Sequence, residues 1–383
     1  MASAETITAT LPGRPEQIST RIAFFIAGFG VAAWAPLVPF AKARADLDEG
    51  TLGLLLLCLG VGSIIAMPAS GVLVARFGCR RLLVASSILM CLTLPLLAVI
   101  SNQVLLGVTL LLFGAGLGTL DCVVNIQAVI VERASGRAMM SGFHGLFSVG
   151  GIAGAGGVSA LLSLGASPLL GSLGVVALIG ALLLYAAPSF LPYGGAGDGP
   201  AFAIPHGIVL FIGILCFTVF LTEGAMLDWS AVFLTSVRGV DPSQAGLGYT
   251  AFATTMTIGR LMGDGIVQRL GSTRIILFGG LLAGGGLALA TLSPSWLAGL
   301  SGFALVGAGC SNIVPVLFTA VGRQKTMPEH VAVPAISTLG YAGILAGPAG
   351  IGFVAHVTSL SLALLGLAGL LVAVALSGRF LRI

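Results

Sequence analysis

Gly71-Val-Leu-Val-Ala-Arg76-Phe-Gly78-Cys-Arg80-Arg81 and, 193 residues further on, Asp264-Gly-Ile-Val-Gln268-Arg269-Leu-Gly271-Ser-Thr-Arg274 are the two stretches on which the reading of this chain turns. Each is a short basic segment set between long apolar runs. Slid by 193 residues, Arg76 falls on Arg269 and Gly78 on Gly271. The same offset carries Gly53 onto Gly246, Gly116 onto Gly309 and Gly154 onto Gly347. One ungapped offset sustained over so long a stretch reads as two copies of one unit in parallel orientation. A solute path at the interface of two such copies is the usual consequence, because rocking one against the other exposes a midplane site to each side in turn.

Around these turns the chain is almost wholly apolar. Of 383 residues 57% are hydrophobic and 8% charged, and the mean hydropathy is +1.10. A soluble domain carries about 25% charge, so that class is excluded. One membrane crossing takes about 20 mostly apolar residues, and the length admits roughly a dozen. Apolar stretches fall at 21–42, 51–75, 82–101, 104–131, 138–163 and 168–188. After a polar, Gly/Pro-rich break at Leu191–Pro200 they resume at 205–236, 245–268, 274–292, 296–322, 331–356 and 359–378. Strict period-2 alternation is absent, which argues for helices over a barrel. The expected fold is an all-α membrane protein of twelve transmembrane helices in two pseudo-symmetric six-helix bundles. Its expected parts are a tail at 1–20, bundles at 21–190 and 205–383, and a linker at 191–204. The tail is polar and Thr/Pro-rich with no apolar h-region, and reads as cytoplasmic, not as a signal peptide.

Sorting the basic residues by loop tests the count of spans. Thirteen of the 17 Lys and Arg fall on the side of the termini, Lys42, Arg44 and Arg238 fall opposite, and Arg260 lies inside a span. That bias predicts cytoplasmic termini in a multi-pass protein of the bacterial inner membrane. It also accounts for the net charge of +4 without a nucleic-acid partner. Gly supplies 57 residues, about twice the usual share of about 7%, as close helix packing in lipid requires. The six Cys lack metal or disulfide spacing and read as small apolar residues. With no P-loop, G-x-G-x-x-G, H-E-x-x-H or nucleophile elbow, neither an enzyme, a cofactor, a metal site nor ATP as driver is expected.

Two six-span halves with Gly71-x-x-x-x-Arg76-x-Gly78-x-Arg80-Arg81 between spans 2 and 3 resemble the major facilitator superfamily over the whole chain. Its loop signature is G-x-x-x-D-R-x-G-R-R/K. Both copies here lack the acid, with Ala75 and Gln268 in its place, and Asp264 one turn earlier offers a substitute charge. Asp121-x-x-x-Asn125 in span 4 looks like the E-x-x-x-N element of fucose-permease-like proton symporters. Val131-Glu132-Arg133, His144-Gly145-Leu146-Phe147-Ser148 and Glu223-Gly224-x-x-x-Asp228-Trp229 are similar to the YbjJ and rhizopine-permease-like branch. Relatives carry an Arg shortly after the Trp of span 1, where this chain has Ala35-Pro36-Leu37. The resemblance implies alternating access, with protons and a small-molecule substrate as partners, and a monomer is expected.

An ionised carboxylate at mid-bilayer costs about 2.5–3.5 kcal/mol on insertion scales, so each needs a partner, a proton or a water-filled cavity. Gly114, Gly118, Asp121 and Asn125 share one helix face, which makes Asp121 the first candidate for proton coupling, with Glu223 and His144 as further ones. Structural hydrogen bonding between helices is the alternative at Asp121 and His144. Candidates for solute contact are Trp34, Asn125, Glu223, Asn312 and Tyr341. For gating, Arg260 and Asp264, spaced i and i+4 in span 8, are expected to pair near the cytoplasmic surface. Glu132 is expected to face the loop of Arg76, and Asp228 with Trp229 to form an outer gate or interfacial anchor. Pro36, Pro39, Pro315 and Pro348 are expected to interrupt their helices and free carbonyls for polar groups. The functional expectation is proton-coupled import of a sugar-like or polyol-like solute, with proton-driven export of amphipathic or cationic compounds as the alternative.

Overall fold

A computed structural model describes residues 12–194, 204–241, 244 and 246–381. Most of the expected tail at 1–20 and most of the linker at 191–204 lie outside the described residues.

The first half holds α1 (Arg14–Trp34) with its short continuation α2 (Val38–Arg44), then α3 (Glu49–Leu97), α4 (Gln103–Ser135), α5 (Met140–Ser163) and α6 (Pro168–Ala186). The second holds α7 (Gly207–Ser236), α8 (Leu247–Leu270), α9 (Ser272–Leu292), α10 (Trp296–Cys310) with α11 (Ile313–Arg323), α12 (Glu329–Val357) and α13 (Leu360–Ser377). Ten helices among the described residues are long and apolar enough to cross a membrane. One of these runs 47 residues, Thr51–Leu97, and folds back at Gly78, so it makes two crossings. The polar helix α8, which carries Arg260 and Asp264, completes the twelve.

Gly78, at φ 77° and ψ 166°, breaks the helical path inside α3 and returns the chain into the bundle. Gly271, 193 residues later, has φ 78° and ψ 159° and turns α8 into α9. L-residues with a side chain rarely adopt that backbone, so the matched pair is a physical signature of the repeat. The repeat extends to capping. Arg44 Nη2 donates to the Leu97 carbonyl at 2.7 Å, and Arg238 Nη2 donates to the Ala290 carbonyl, 193 residues past Leu97, at 2.8 Å. Both guanidiniums sit at a helix C-terminus, where carbonyls lack intrahelical donors.

Of the helices that begin at the end opposite the termini, α3, α4, α6 and α13 carry side-chain caps, and α8 and α10 do not. Asp48 accepts from Thr51 N at 2.7 Å, Asn102 from Leu105 N at 3.0 Å, and Ser167 and Ser359 from Leu170 N and Leu362 N, each at 3.2 Å. Prolines act as expected at two places. Span 1 passes through a 3-10 turn at Ala35–Leu37, and span 10 breaks between Cys310 and Ile313, ahead of Pro315. At Pro348 the expectation fails, for α12 runs helical through that position.

The surplus glycine sits at helix crossings. A Cβ on Gly114 would collide with the Leu59 carbonyl, and one on Gly307, its mate at +193, with the Phe252 carbonyl. Leu59 and Phe252 are themselves 193 apart. Gly154 in α5 likewise faces the Phe29 carbonyl of α1, whereas Gly157, one turn on, has open space. Gly154→Ala is therefore expected to lower the melting temperature of the purified protein, with overpacking costing about 1–3 kcal/mol. Gly157→Ala should leave it unchanged or raised, by helix propensity. Equal effects would contradict close contact between α1 and α5.

Candidate functional site

The interior charge is concentrated at Arg260 of α8, which is 6% exposed. Its Nη2 donates to Glu223 Oε1 of α7 at 2.9 Å, its Nη1 to Ser148 Oγ of α5 at 3.2 Å, and its Nε to the Ser311 carbonyl at 3.4 Å. The last acceptor follows from sequence, because Pro315 has no N–H to give the carbonyl four residues before it. A buried guanidinium is tolerable only when its donors are used and its charge is met, and here two elements of the second half and one of the first share that task. Arg260 thus ties the two bundles together through Ser148.

This pair forms the floor of a cavity of about 520 Å³, within the usual range of about 300–1,000 Å³ for small-molecule sites. Its walls come from α1, α5, α7, α8 and α12. Ala32, Ala35, Phe147, Gly151 and Ala155 face Leu227, Tyr249, Phe252, Met256 and Ile344, with Ser148 and Thr257 as further polar groups near Glu223 and Arg260. These residues lie toward the helix ends opposite the termini, and the cavity opens that way.

At the end of the termini the bundles are closed on one another. Both oxygens of Glu132, which is 6% exposed, are engaged. Oε2 accepts from the backbone N–H of Met139 and of Met140, each at 2.7 Å, and Oε1 accepts from the Thr319 hydroxyl of α11. Asp264 Oδ1 of α8 accepts from Gly142 N at 2.9 Å. Two carboxylates, one from each half, therefore sit on the positive N-terminal end of α5 and satisfy its free N–H groups. Arg133 of α4 pairs across the interface with Glu329 of α12.

Several sequence expectations need correction on this geometry. Among the described residues Arg260 and Asp264 form no pair. Each points to a partner on another helix, and Arg260, ten residues from the end of α8 and so about 15 Å along it, lies mid-span and not near the surface. Glu132 turns inward to the start of α5 instead of facing Arg76, which is exposed. Of the five candidates for solute contact only Glu223 lines the cavity. Trp34 is 5% exposed, Asn125 Nδ2 donates to the Asp121 carbonyl one turn back at 2.8 Å, Asn312 Nδ2 donates to the Gly259 carbonyl at 3.0 Å, and Tyr341 packs against Phe220. Among the described residues the His144 ring makes no helix-to-helix hydrogen bond, and its Nε2 is buried without a partner. Its ring lies 5.2 Å from that of Phe24 and 5.6 Å from that of Phe318, one from each half. Asp228 is exposed, and Trp229 packs over Gly352 of α12.

Asp121 stands apart from the cavity floor. It is half-buried in α4, and no described side chain donates to its carboxylate. The residues missed were Ser148, Tyr249, Met256 and Thr257. For α8 a signal existed, because Tyr249, Ala253, Met256 and Arg260 follow i, i+4, i+7, i+11 and share one face.

A polar floor buried between two repeated bundles, reached from one end and shut at the other, defines a membrane transport protein. The chain belongs to the Major Facilitator Superfamily, whose family model matches residues 21–324. An uncharacterised transporter of that type from Yersinia pestis is 57% identical over 372 residues, covering 97% of each chain. Membrane protein MosC of Rhizobium meliloti is 32% identical over 374 residues, 97% of this chain and 91% of that one. In fold the chain matches the Escherichia coli fucose:proton symporter FucP with a TM-score of 0.80 at 18% identity, covering 96% of this chain and 98% of that one. A second structure of FucP, in the outward conformation, gives 0.79, again at 18% identity, over 97% of this chain and 100% of that one. The likeness in fold accords with the fucose-permease-like resemblance read from Asp121 and Asn125.

Removing one member of the buried pair strands the other. Glu223→Gln or Arg260→Met alone is expected to destabilise by about 3–5 kcal/mol, read as a lower melting temperature in detergent. The double variant should recover much of that loss. A double variant as unstable as the sum of the singles would show that the two side chains act independently.

Proposed function

We propose that this transporter carries a small polar solute, sugar-like or polyol-like, through the cavity between its bundles by proton-coupled alternating access. The observation that carries the reading is the cavity with Glu223, Arg260 and Ser148 at its closed end. Hydroxyl groups of a solute would meet a carboxylate acceptor, guanidinium donors and a serine there. Aromatic walls at Phe147, Tyr249 and Phe252 suit the apolar face of a sugar or polyol. Since Ser148 belongs to one bundle and Glu223 and Arg260 to the other, a solute bound at this floor would change how the two are joined.

Asp121 is the proposed coupling group, an acid inside a span with no side-chain donor, and FucP, a proton symporter by its title, shares the fold. Glu223 and His144 are secondary candidates, His144 because its Nε2 is buried without a partner. Glu132, Asp264 and the Arg133–Glu329 pair are the proposed inner gate, on the reading that the termini are cytoplasmic. One observation favours a second reading. The cavity walls are mostly apolar, which suits an amphipathic cation exported against Glu223.

The purified protein is expected to be stabilised by its solute by about 2.7 kcal/mol at about 100 times the Kd, and a thermal-shift screen of sugars, polyols and amphipathic cations reads this out. In proteoliposomes, uptake of the stabilising solute should accelerate with an imposed proton gradient. Asp121→Asn should lose that response while keeping the thermal shift. Uptake indifferent to the gradient, with Asp121→Asn fully active, would remove the coupling role. Stabilisation by cations alone would select the second reading.

A further inference from the structure

A second cavity, of about 370 Å³, lies far from the first, at the end of the termini where the chain turns inside α3. Arg76, Arg80 and Arg81 line it together with Tyr193, and among the described residues no carboxylate does. The segment after the sixth span folds back over the turn to make its wall. Cys79 N donates to the Tyr193 carbonyl at 3.3 Å and Arg80 N to the Leu191 carbonyl at 2.7 Å. Arg80 is spent on holding this wall, for its Nε donates to the Phe190 carbonyl at 3.0 Å and its Nη2 to the Pro188 carbonyl. A Cβ on Gly78 would collide with the Pro192 carbonyl, so the approach of the two segments depends on that glycine.

Arg76 and Arg81 are the free arms of the socket. Both are exposed, and neither forms an ion pair with a described carboxylate. Arg76 lies over the ring of Phe77, 5.2 Å from its centroid. Glu16, whose charge reaches Tyr193, has one oxygen tied to the N–H of Gly13 at 2.7 Å. Burial, with Glu16 nearby, raises the Tyr193 phenol above its ordinary range, which keeps its hydroxyl a donor.

The bias of basic residues toward one face explains why arginines stand at this end of the molecule, but it does not explain a socket. The repeat supplies the contrast. Arg269 and Arg274 flank Gly271, which has the same left-handed backbone, yet a Cβ on Gly271 would meet nothing within 4 Å. The first copy is walled by the segment that follows the sixth span, and there three arginines line a cavity.

We infer that this socket binds a phosphate group, carried by an anionic lipid headgroup or free in solution, between Arg76 and Arg81. Paired guanidiniums present forked donors that match phosphate oxygens, and basic pockets beside transmembrane helices at this depth suit lipid headgroups. Leu73 and Phe77, 40% and 37% exposed beside the socket, provide apolar surface for acyl chains.

Native mass spectrometry of the full chain in detergent, after addition of phosphatidylglycerol or phosphatidylcholine, tests the site. Wild type and the Arg269→Gln/Arg274→Gln variant are expected to retain phosphatidylglycerol. Arg76→Gln/Arg81→Gln should lose it several-fold, with an unchanged melting temperature because both side chains are exposed. Preference for phosphatidylglycerol that inorganic phosphate leaves untouched assigns the phosphate to a lipid. Displacement of the lipid by inorganic phosphate, with stabilisation by phosphate alone, assigns the same site to the free ion. Equal loss in the two double variants, or equal retention of phosphatidylcholine, would overturn the proposal, since surface charge or detergent-like contact would then account for the binding.

Discussion

One guanidinium, that of Arg260, has to be satisfied inside an apolar bundle, and the arrangement of the interior follows from that requirement. Only 6% of Arg260 is exposed, so the chain supplies a carboxylate from α7, a carbonyl that Pro315 has freed in span 10, and a hydroxyl from α5 in the other half. Two of these elements belong to the bundle of Arg260 and one to the other. The same contacts that make the charge tolerable therefore stitch the interface at the depth where the cavity ends. Breaks in the helices, which would be faults in a soluble bundle, are here the source of an acceptor.

Closure at the end of the termini uses a different device. Glu132 and Asp264 occupy the start of α5, where a helix offers unpaired N–H groups and partial positive charge. Asp264 comes from the other half and occupies, in the second copy of the turn, the position of Gly71 in the first. Gly71 lets α3 approach α12 closely at His330, while Asp264 caps α5. The two copies share their turns, glycine crossings and arginine caps and differ in this contact, so the repeat is symmetric in framework and asymmetric in the charge that holds it shut.

Much of the framework was legible in the sequence. The offset of 193 was visible in glycines and arginines, and it reappears in backbone angles at Gly78 and Gly271 and in the Leu97 and Ala290 carbonyls that Arg44 and Arg238 cap. The span count followed from hydropathy because a bilayer demands a fixed apolar length. The partners of the interior charges were less legible. Spacing i, i+4 suggested that Arg260 would pair with Asp264, since a sequence shows neighbours on one helix and hides those brought by packing. Glu132 reads as a charge facing the basic loop of Arg76, although its partners are the Thr319 hydroxyl and N–H groups at a helix start seven and eight residues on. Trp34, Asn125, Asn312 and Tyr341 were chosen as polar or aromatic residues within spans, whereas the cavity wall is set by which face of each helix turns inward. Only α8, with its stripe from Tyr249 to Arg260, carried that information in its periodicity.

Central to this account is a floor at Glu223 and Arg260 about which two bundles rock, open at one end when shut at the other. The most direct test is the distance between spin labels across both ends of the same protein in lipid nanodiscs, at Arg137 and Lys325 on the side of the termini and at Leu164 and Ser236 on the opposite side. All four positions are exposed. The account predicts that Glu132→Gln/Asp264→Asn lengthens the first distance while shortening the second. Distances that stay fixed at both ends, or that lengthen together, would contradict it.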